Sequence, residues 1–107
     1  MIIHNDAVAY EELSEKSRRK ILAHQGGMMM VEVVFDKGGV GEAHRHPHEQ
    51  ISYIAKGKFA FNIEGEKSVV CKGDSIYIPS NALHGTEALE DSVIIDVFTP
   101  QREDFMK

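Results

Sequence analysis

The segment HRHPHEQ, residues 44–50, places three of the chain's six histidines, a glutamate and a glutamine within seven positions. Imidazole nitrogen is a good donor to divalent transition metals. Side chains two apart on a strand share a face, so His44 and His46 are expected to project together from one edge. Pro47 interrupts regular pairing and turns the chain, which brings His48 or Gln50 towards the same point. A further donor has to come from elsewhere. His84, in IPSNALHGT, follows a strand and a proline-led turn and has no other obvious role. The chemistry on offer is metal binding, with an exposed histidine loop as the plain alternative.

The elements that must position these residues are legible from punctuation. Glycines 26, 27, 38, 39, 41, 57, 65, 73 and 85 separate short runs rich in Val, Ile, Phe and Tyr. Such a rhythm predicts an all-β sandwich or barrel. The clearest strands are MMMVEVVF (28–35), ISYIAKG (51–57), FAFNI (59–63), KSVVC (67–71), SIYIP (75–79) and SVIIDVF (92–98). A hairpin is expected at Glu64-Gly65-Glu66 and a tight turn at Lys72-Gly73-Asp74. AYEELSEKSRRK, residues 9–20, is the one helix candidate, with too few apolar positions for a clear amphipathic face. A length of 107 residues suits one domain spanning 1–107, with a core of its own.

Composition narrows the function classes. The net charge of −5 disfavours polyanionic partners, nucleic acid among them. The single basic run, EKSRRK (15–20), reads as a solvated strand or helix edge. The one cysteine, Cys71, ends the apolar run SVVC and reads as a buried thiol. The start MIIHNDAVAY lacks a basic segment followed by a long apolar one, and no apolar run approaches the roughly 20 residues of a membrane span. A cytoplasmic protein without membrane partners is expected.

Two spaced patterns frame the histidines. Gly38-x5-His44-x-His46-x3-Gln50-x6-Gly57 is the first and Gly73-x5-Pro79-x4-His84 the second. Together they resemble the paired motifs of the cupin superfamily, over roughly residues 28–100. The resemblance implies a double-stranded β-helix, a jelly-roll barrel, with motifs at 38–57 and 73–84. It also implies one divalent metal bound by His44, His46 and His84. The family's usual fourth ligand is glutamate, whereas Gln50 stands at that position here. Asn81 stands where glycine is common and Ala88 where asparagine is common. Three imidazoles and a carboxamide leave a divalent ion its full formal charge, a stronger Lewis acid than a carboxylate-bearing site and less like those of iron oxygenases. Glu49 would restore the carboxylate if the register shifted by one; its opposite parity to His44 and His46 favours Gln50. His48 is then a residue beside the ligands or at the rim, or a solvated loop residue. His4 and His24 have no partners in the sequence.

The strand SVIIDVF is apolar on both faces apart from Asp96. Alternation puts Ile94, Asp96 and Phe98 on one face and Val93, Ile95 and Val97 on the other. One face is expected to line the lumen, the other to meet a partner subunit or the amino-terminal segment. A carboxylate there must be paired, hydrogen-bonded or used. Tyr53 or Tyr77 are candidate partners for a purely structural Asp96. HRHPHEQ, GDSIYIPSNALHG and the ending DVFTPQREDF together resemble the pectin-degradation, KdgF-type group of cupins. That resemblance implies ring opening of 4,5-unsaturated monouronates from pectin or alginate to linear keto sugar acids. It places a metal site of three histidines and a glutamine, and an Asp-x-Phe-x3-Arg pattern matched by Asp96, Phe98 and Arg102. Asp96 would shuttle the proton, Arg102 would grip the carboxylate, and Phe98 would wall the sugar ring. For Arg102 the alternative is a surface residue of a frayed tail.

Two rival functions remain open at this level. One is another cupin enzyme, a metal-dependent dioxygenase or an isomerase of a different small acid. The other is a non-catalytic cupin that binds a sugar acid. The metal, whether nickel, manganese, iron, zinc or cobalt, is not encoded in the ligand types. A homodimer is expected, because small barrels with doubly apolar strands need their outer face covered, and MMMVEVV is a candidate contributor.

Overall fold

The computed structural model describes residues 1–106, in which ten strands form two facing antiparallel sheets. One sheet runs in the order β1 (Glu11–Ser14), β2 (Ser17–Gln25), β3 (Met28–Phe35), β10 (Ser92–Thr99), β5 (Glu49–Lys56), β8 (Ser75–Ile78). The other runs β4 (Val40–His44), β9 (His84–Ala88), β6 (Lys58–Ile63), β7 (Glu66–Cys71). This is the jelly-roll barrel expected from the sequence. All six predicted strands form. The four that the sequence did not announce are the short or polar ones, whose alternation is masked by charged and small residues.

Period-two burial decides what fills the barrel. Met29, Val31, Val33 and Phe35 of β3 point inwards to meet Ile54 of β5, Phe59 and Phe61 of β6, Ile78 of β8 and Ile94 and Phe98 of β10. Each such buried side chain contributes about 1.5–3 kcal/mol of transfer free energy. Phe35 and Phe59 meet edge to face at 5.3 Å, locking one sheet against the other. Gly57, between β5 and β6, has φ +84, and a Cβ there would sit 2.0 Å from Ser92 Oγ, so the turn admits no other residue without rearrangement.

Three expectations are corrected. Residues 9–20 are not helical. They enter the β1–β2 hairpin, whose corner is tied by Ser14 Oγ and Ser17 Oγ at 2.7 Å and whose second strand also pairs with β3. An already formed sheet edge satisfies that backbone better than a helix with few apolar contacts. The basic run is not a solvated edge either. Lys20 is buried, with Nζ donating to Asn5 O and Oδ1 at 2.9 and 2.8 Å and lying 4.4 Å above the Tyr10 ring. Cys71 is exposed, because β7 is the edge strand of its sheet and shows most of its residues to solvent. Among the described residues no helix is long and apolar enough to cross a membrane.

Candidate metal centre

Strand pairing brings the two motifs together. β4 and β9 align so that His44 and His84 are direct cross-strand partners. The approach is close: a Cβ on Gly85 would lie 3.0 Å from the Ala43 backbone, which explains the glycine next to His84. β4 ends at His44, so His46 is not its strand neighbour as expected; it stands in the following loop. That loop is tied to the one before β9. Asn81 N–H donates to His46 O at 2.8 Å, and Ser80 Oγ donates to Pro47 O at 2.6 Å. Asn81 has φ +63, a left-handed conformation that Asn tolerates better than most residues, which accounts for its standing where glycine is common.

One ring nitrogen from each of His44, His46 and His84 lies within 4.8 Å of the others. Each Nδ1 faces a backbone carbonyl: Glu42 O at 2.8 Å, His48 O at 3.1 Å and Ala82 O at 2.9 Å respectively. Carbonyls only accept, so the Nδ1 atoms carry the protons and the Nε2 lone pairs are left to converge. Burial holds His46 down to about 4, helped by the positive Arg102, and burial lowers His84 as well. Both are neutral at physiological pH, the form that binds a metal.

Gln50 supplies the test of fit. Its Nε2 donates to Ser52 Oγ at 2.9 Å and Asp96 Oδ1 at 3.1 Å, which fixes the amide so that Oε1 faces His46 Nε2 at 3.0 Å. With the His46 proton on Nδ1, two acceptors confront each other at that distance. A shared cation resolves such a clash. The donor set of three imidazoles and a carboxamide oxygen therefore fits a divalent transition metal. Glu49 points away, exposed, and accepts a hydrogen bond from Tyr77. His48 joins through its backbone carbonyl, while its Nδ1 is buried without a hydrogen-bond partner among the described residues.

Asp96 stands behind Gln50. Its cross-strand partner on β5 is Ser52, which donates to Oδ1 at 2.6 Å. Tyr53 and Tyr77, the candidate partners from the sequence, lie on the exposed face instead. Burial raises the Asp96 carboxyl from 3.8 to about 6, against the opposing pull of Ser52, Gln50 and Arg102. Beyond β10 the chain passes a cis Thr99–Pro100 bond and returns, so that Arg102 is buried rather than frayed. Its guanidinium lies 5.1 Å from the Phe98 ring and pairs with Asp104 through Nε and Nη2 at 3.1 and 2.8 Å. His44, His84, Gln50, Asp96, Phe98 and Arg102 all open onto one cavity of ≈ 290 Å³. This is at the small end of ligand pockets, the size for one sugar ring rather than a polymer.

A family model described as the cupin domain matches residues 31–98. The chain belongs to the cupins. This cupin is 43% identical over 104 residues to the pectin degradation protein KdgF of Dickeya dadantii, covering 95% of this chain and 94% of that one. It superposes on KdgF from a Halomonas species with a TM-score of 0.94 at 39% identity, covering 98% and 97% of the two chains. An RmlC-like cupin from Shewanella frigidimarina gives 0.93 at 34% identity, covering 97% and 94%. The kinship is thus with the KdgF group, as the motifs and tail suggested.

All seven residues singled out from the sequence therefore come together. Those missed are Ser52, Arg19 and Phe105. Ser52 had a signal, since it shares parity with Gln50 on a predicted strand. Arg19 sat in a run read as solvated, and Phe105 in the tail.

Proposed function

We propose that this cupin opens the ring of 4,5-unsaturated monouronates, the sugar acids left when pectin or alginate is cleaved by elimination, to linear keto sugar acids. The observation that carries the reading is one small pocket, lined by His44, His84 and Gln50 of a carboxylate-free donor set, that also holds a buried acid and a guanidinium. The kinship with a pectin degradation protein supports it.

His44, His46, His84 and Gln50 would hold the divalent ion, which when bound supplies Lewis acidity towards the substrate's oxygens without redox change. The reaction is an isomerisation. The anomeric hydroxyl loses a proton, the bond between C1 and the ring oxygen breaks, and C4 gains a proton, leaving an aldehyde and a ketone. Asp96 is the group that moves these protons. Its raised pKa puts both protonation states within reach near neutrality, the condition for efficient proton transfer. Ser52 and Gln50 both donate to Oδ1, so Oδ2 is the oxygen left to carry the proton. Arg102 binds the carboxylate, and Phe98 provides the apolar wall. The absence of a carboxylate ligand weighs against the dioxygenase alternative.

The test follows the ultraviolet band of the conjugated double bond in a monouronate freshly released by a lyase. The metal-loaded protein should accelerate its loss, and chelated protein and Asp96→Asn should not. No acceleration by loaded wild-type protein would overturn the reading in favour of a binding cupin or another substrate. We also infer a homodimer. The outer face of β3, β10, β5 and β8 exposes Met30, Ile51, Tyr53 and Tyr77 around half-buried Ile95 and Val97, an apolar surface a second copy would cover. A monomeric mass by light scattering at micromolar concentration would refute it.

A further inference from the structure

Outside the residues matched by the family model, the β1–β2 hairpin contributes Leu13 and Arg19 to the same cavity, and the carboxyl-terminal turn contributes Phe105. Stacked groups run outwards from the imidazoles. His46 and Phe98 have centroids 5.7 Å apart, Arg102 lies over Phe98 at 5.1 Å and over Phe105 at 4.1 Å, and Arg19 lies over Phe105 at 3.8 Å. Two guanidiniums thus share one aromatic ring in a chain whose net charge is −5. Each is paired through Nε and Nη2 with a carboxylate that is more than half exposed, Glu11 for Arg19 and Asp104 for Arg102. Neither Nη1 has a hydrogen-bond partner among the described residues.

We propose that Arg19 is a specificity-determining residue, the outer of two cations that capture the substrate's carboxylate. This rests on the ring-opening reading for the identity of the acid. The physical need is plain. An anionic sugar approaches a protein of like charge, so its entry depends on a local positive field at the pocket. One guanidinium against the Phe105 ring would suffice for packing. A second concentrates charge where like charges repel, an arrangement that an incoming anion relieves. The exposed Glu11 and Asp104 hold their partners weakly and exchange readily with a carboxylate from solution.

Charge and bulk can be separated at this position. Arg19→Met keeps a long side chain on Phe105 without the charge, and Arg19→Lys keeps the charge. Arg19→Met should raise KM for the unsaturated uronate about tenfold with kcat nearly unchanged, and should flatten the dependence of KM on salt. Arg19→Lys should recover most of the loss. A Met variant with wild-type KM would show that Arg19 only packs, and would overturn the inference. Calorimetric binding of D-galacturonate, with D-galactose as neutral control, reads the same three proteins without turnover. Wild-type protein that binds galacturonate but opens no unsaturated uronate would sink the proposed reaction, and the Met and Lys variants would still decide Arg19. Equal or absent binding of the acid and the neutral sugar by wild-type protein would overturn the inference.

Discussion

At one end of the pocket His44, His84, Gln50 and Asp96 project from paired strands, and the ring Nδ1 atoms, the Gln50 amide and Asp96 Oδ1 all have partners in the sheets or adjoining loops. At the other end Arg19 and Arg102 come from an edge hairpin and a carboxyl-terminal turn, and their partners are half in water. Apart from His44, which is exposed, the side chains of the inner end are buried, and a buried polar atom left unpaired costs about 1–3 kcal/mol, which holds them in place. The outer end has no such constraint. On the proposed reading, the chemistry that must place a proton sits on the first kind of construction, and recognition of a mobile anion on the second.

The sharpest break is to remove an imidazole. His84→Ala should abolish binding of a single divalent ion, followed by calorimetry, and cost more activity than the roughly 10–100-fold lost when only an outer partner of a ligand is removed. The barrel should still fold, because the His84 ring meets Ala82 O, His44 and His46, and His84 is not part of the apolar core cluster. Retained metal affinity would mean that the converging acceptors are not the metal centre.

Asp96→Asn comes next, with an expected fall in kcat of about 10²–10⁴-fold at saturating metal. It carries a second signature of opposite sign. The folded-state pKa of about 6 lies above the ordinary 3.8, so between these values the native state of the chelated protein holds a proton that the unfolded chain has released. The contribution of this group is present below pH 4 and is lost as pH rises to 6 and beyond, on the order of 2–3 kcal/mol. Chelated Asp96→Asn should therefore melt higher than chelated wild type at pH 7.5, and the gap should close towards pH 4. A variant less stable at both values would show that the carboxylate is held for structure alone.

The two ends also differed in how much the sequence disclosed. His44, His46, Gln50 and His84 were singled out through the resemblance carried by the framing glycines and the spacing between them, whereas the strand argument failed for His46, which stands in the loop after β4. Asp96 was legible because a charge in an otherwise apolar strand demands a reason. Its partner is not Tyr53 or Tyr77, the candidates for a purely structural Asp96, since cross-strand register, which sets Ser52 opposite Asp96, depends on how β5 and β10 slide past each other. Arg19 was not legible at all. Its role depends on a hairpin that replaced an expected helix and on a tail folding back over it, contacts made between the two ends of the chain. The same long-range packing buried Lys20 and left Cys71 on an edge.

Ser52→Ala sharpens the comparison within the rigid end. It deletes the 2.6 Å hydrogen bond to Asp96 and leaves Gln50 a single acceptor. A kcat loss of roughly tenfold is expected with KM unchanged, because Oδ1 is then held by Gln50 alone and the carboxyl is less firmly oriented. Ser52→Thr should restore most of it. A change in KM alone would place Ser52 among the residues that shape the pocket rather than those that orient the acid.

The smallest effect tests whether the outer end exchanges partners. On the proposed reading Asp104 competes with the substrate for the guanidinium of Arg102, which in turn holds the Asp104 carboxyl below its usual range. More than half of the Asp104 side chain is exposed, so the pair contributes only about 0–1 kcal/mol to stability. Asp104→Asn should thus leave the melting temperature within a degree or two and lower KM for the uronate by up to about fivefold, the same energy returned as substrate binding. The corresponding change at the inner end would never help the substrate, because no buried group there has a spare partner to give up. An Asp104→Asn protein with raised KM would mean that Asp104 aims Arg102 at the substrate, and the outer end would then be as rigid as the inner one.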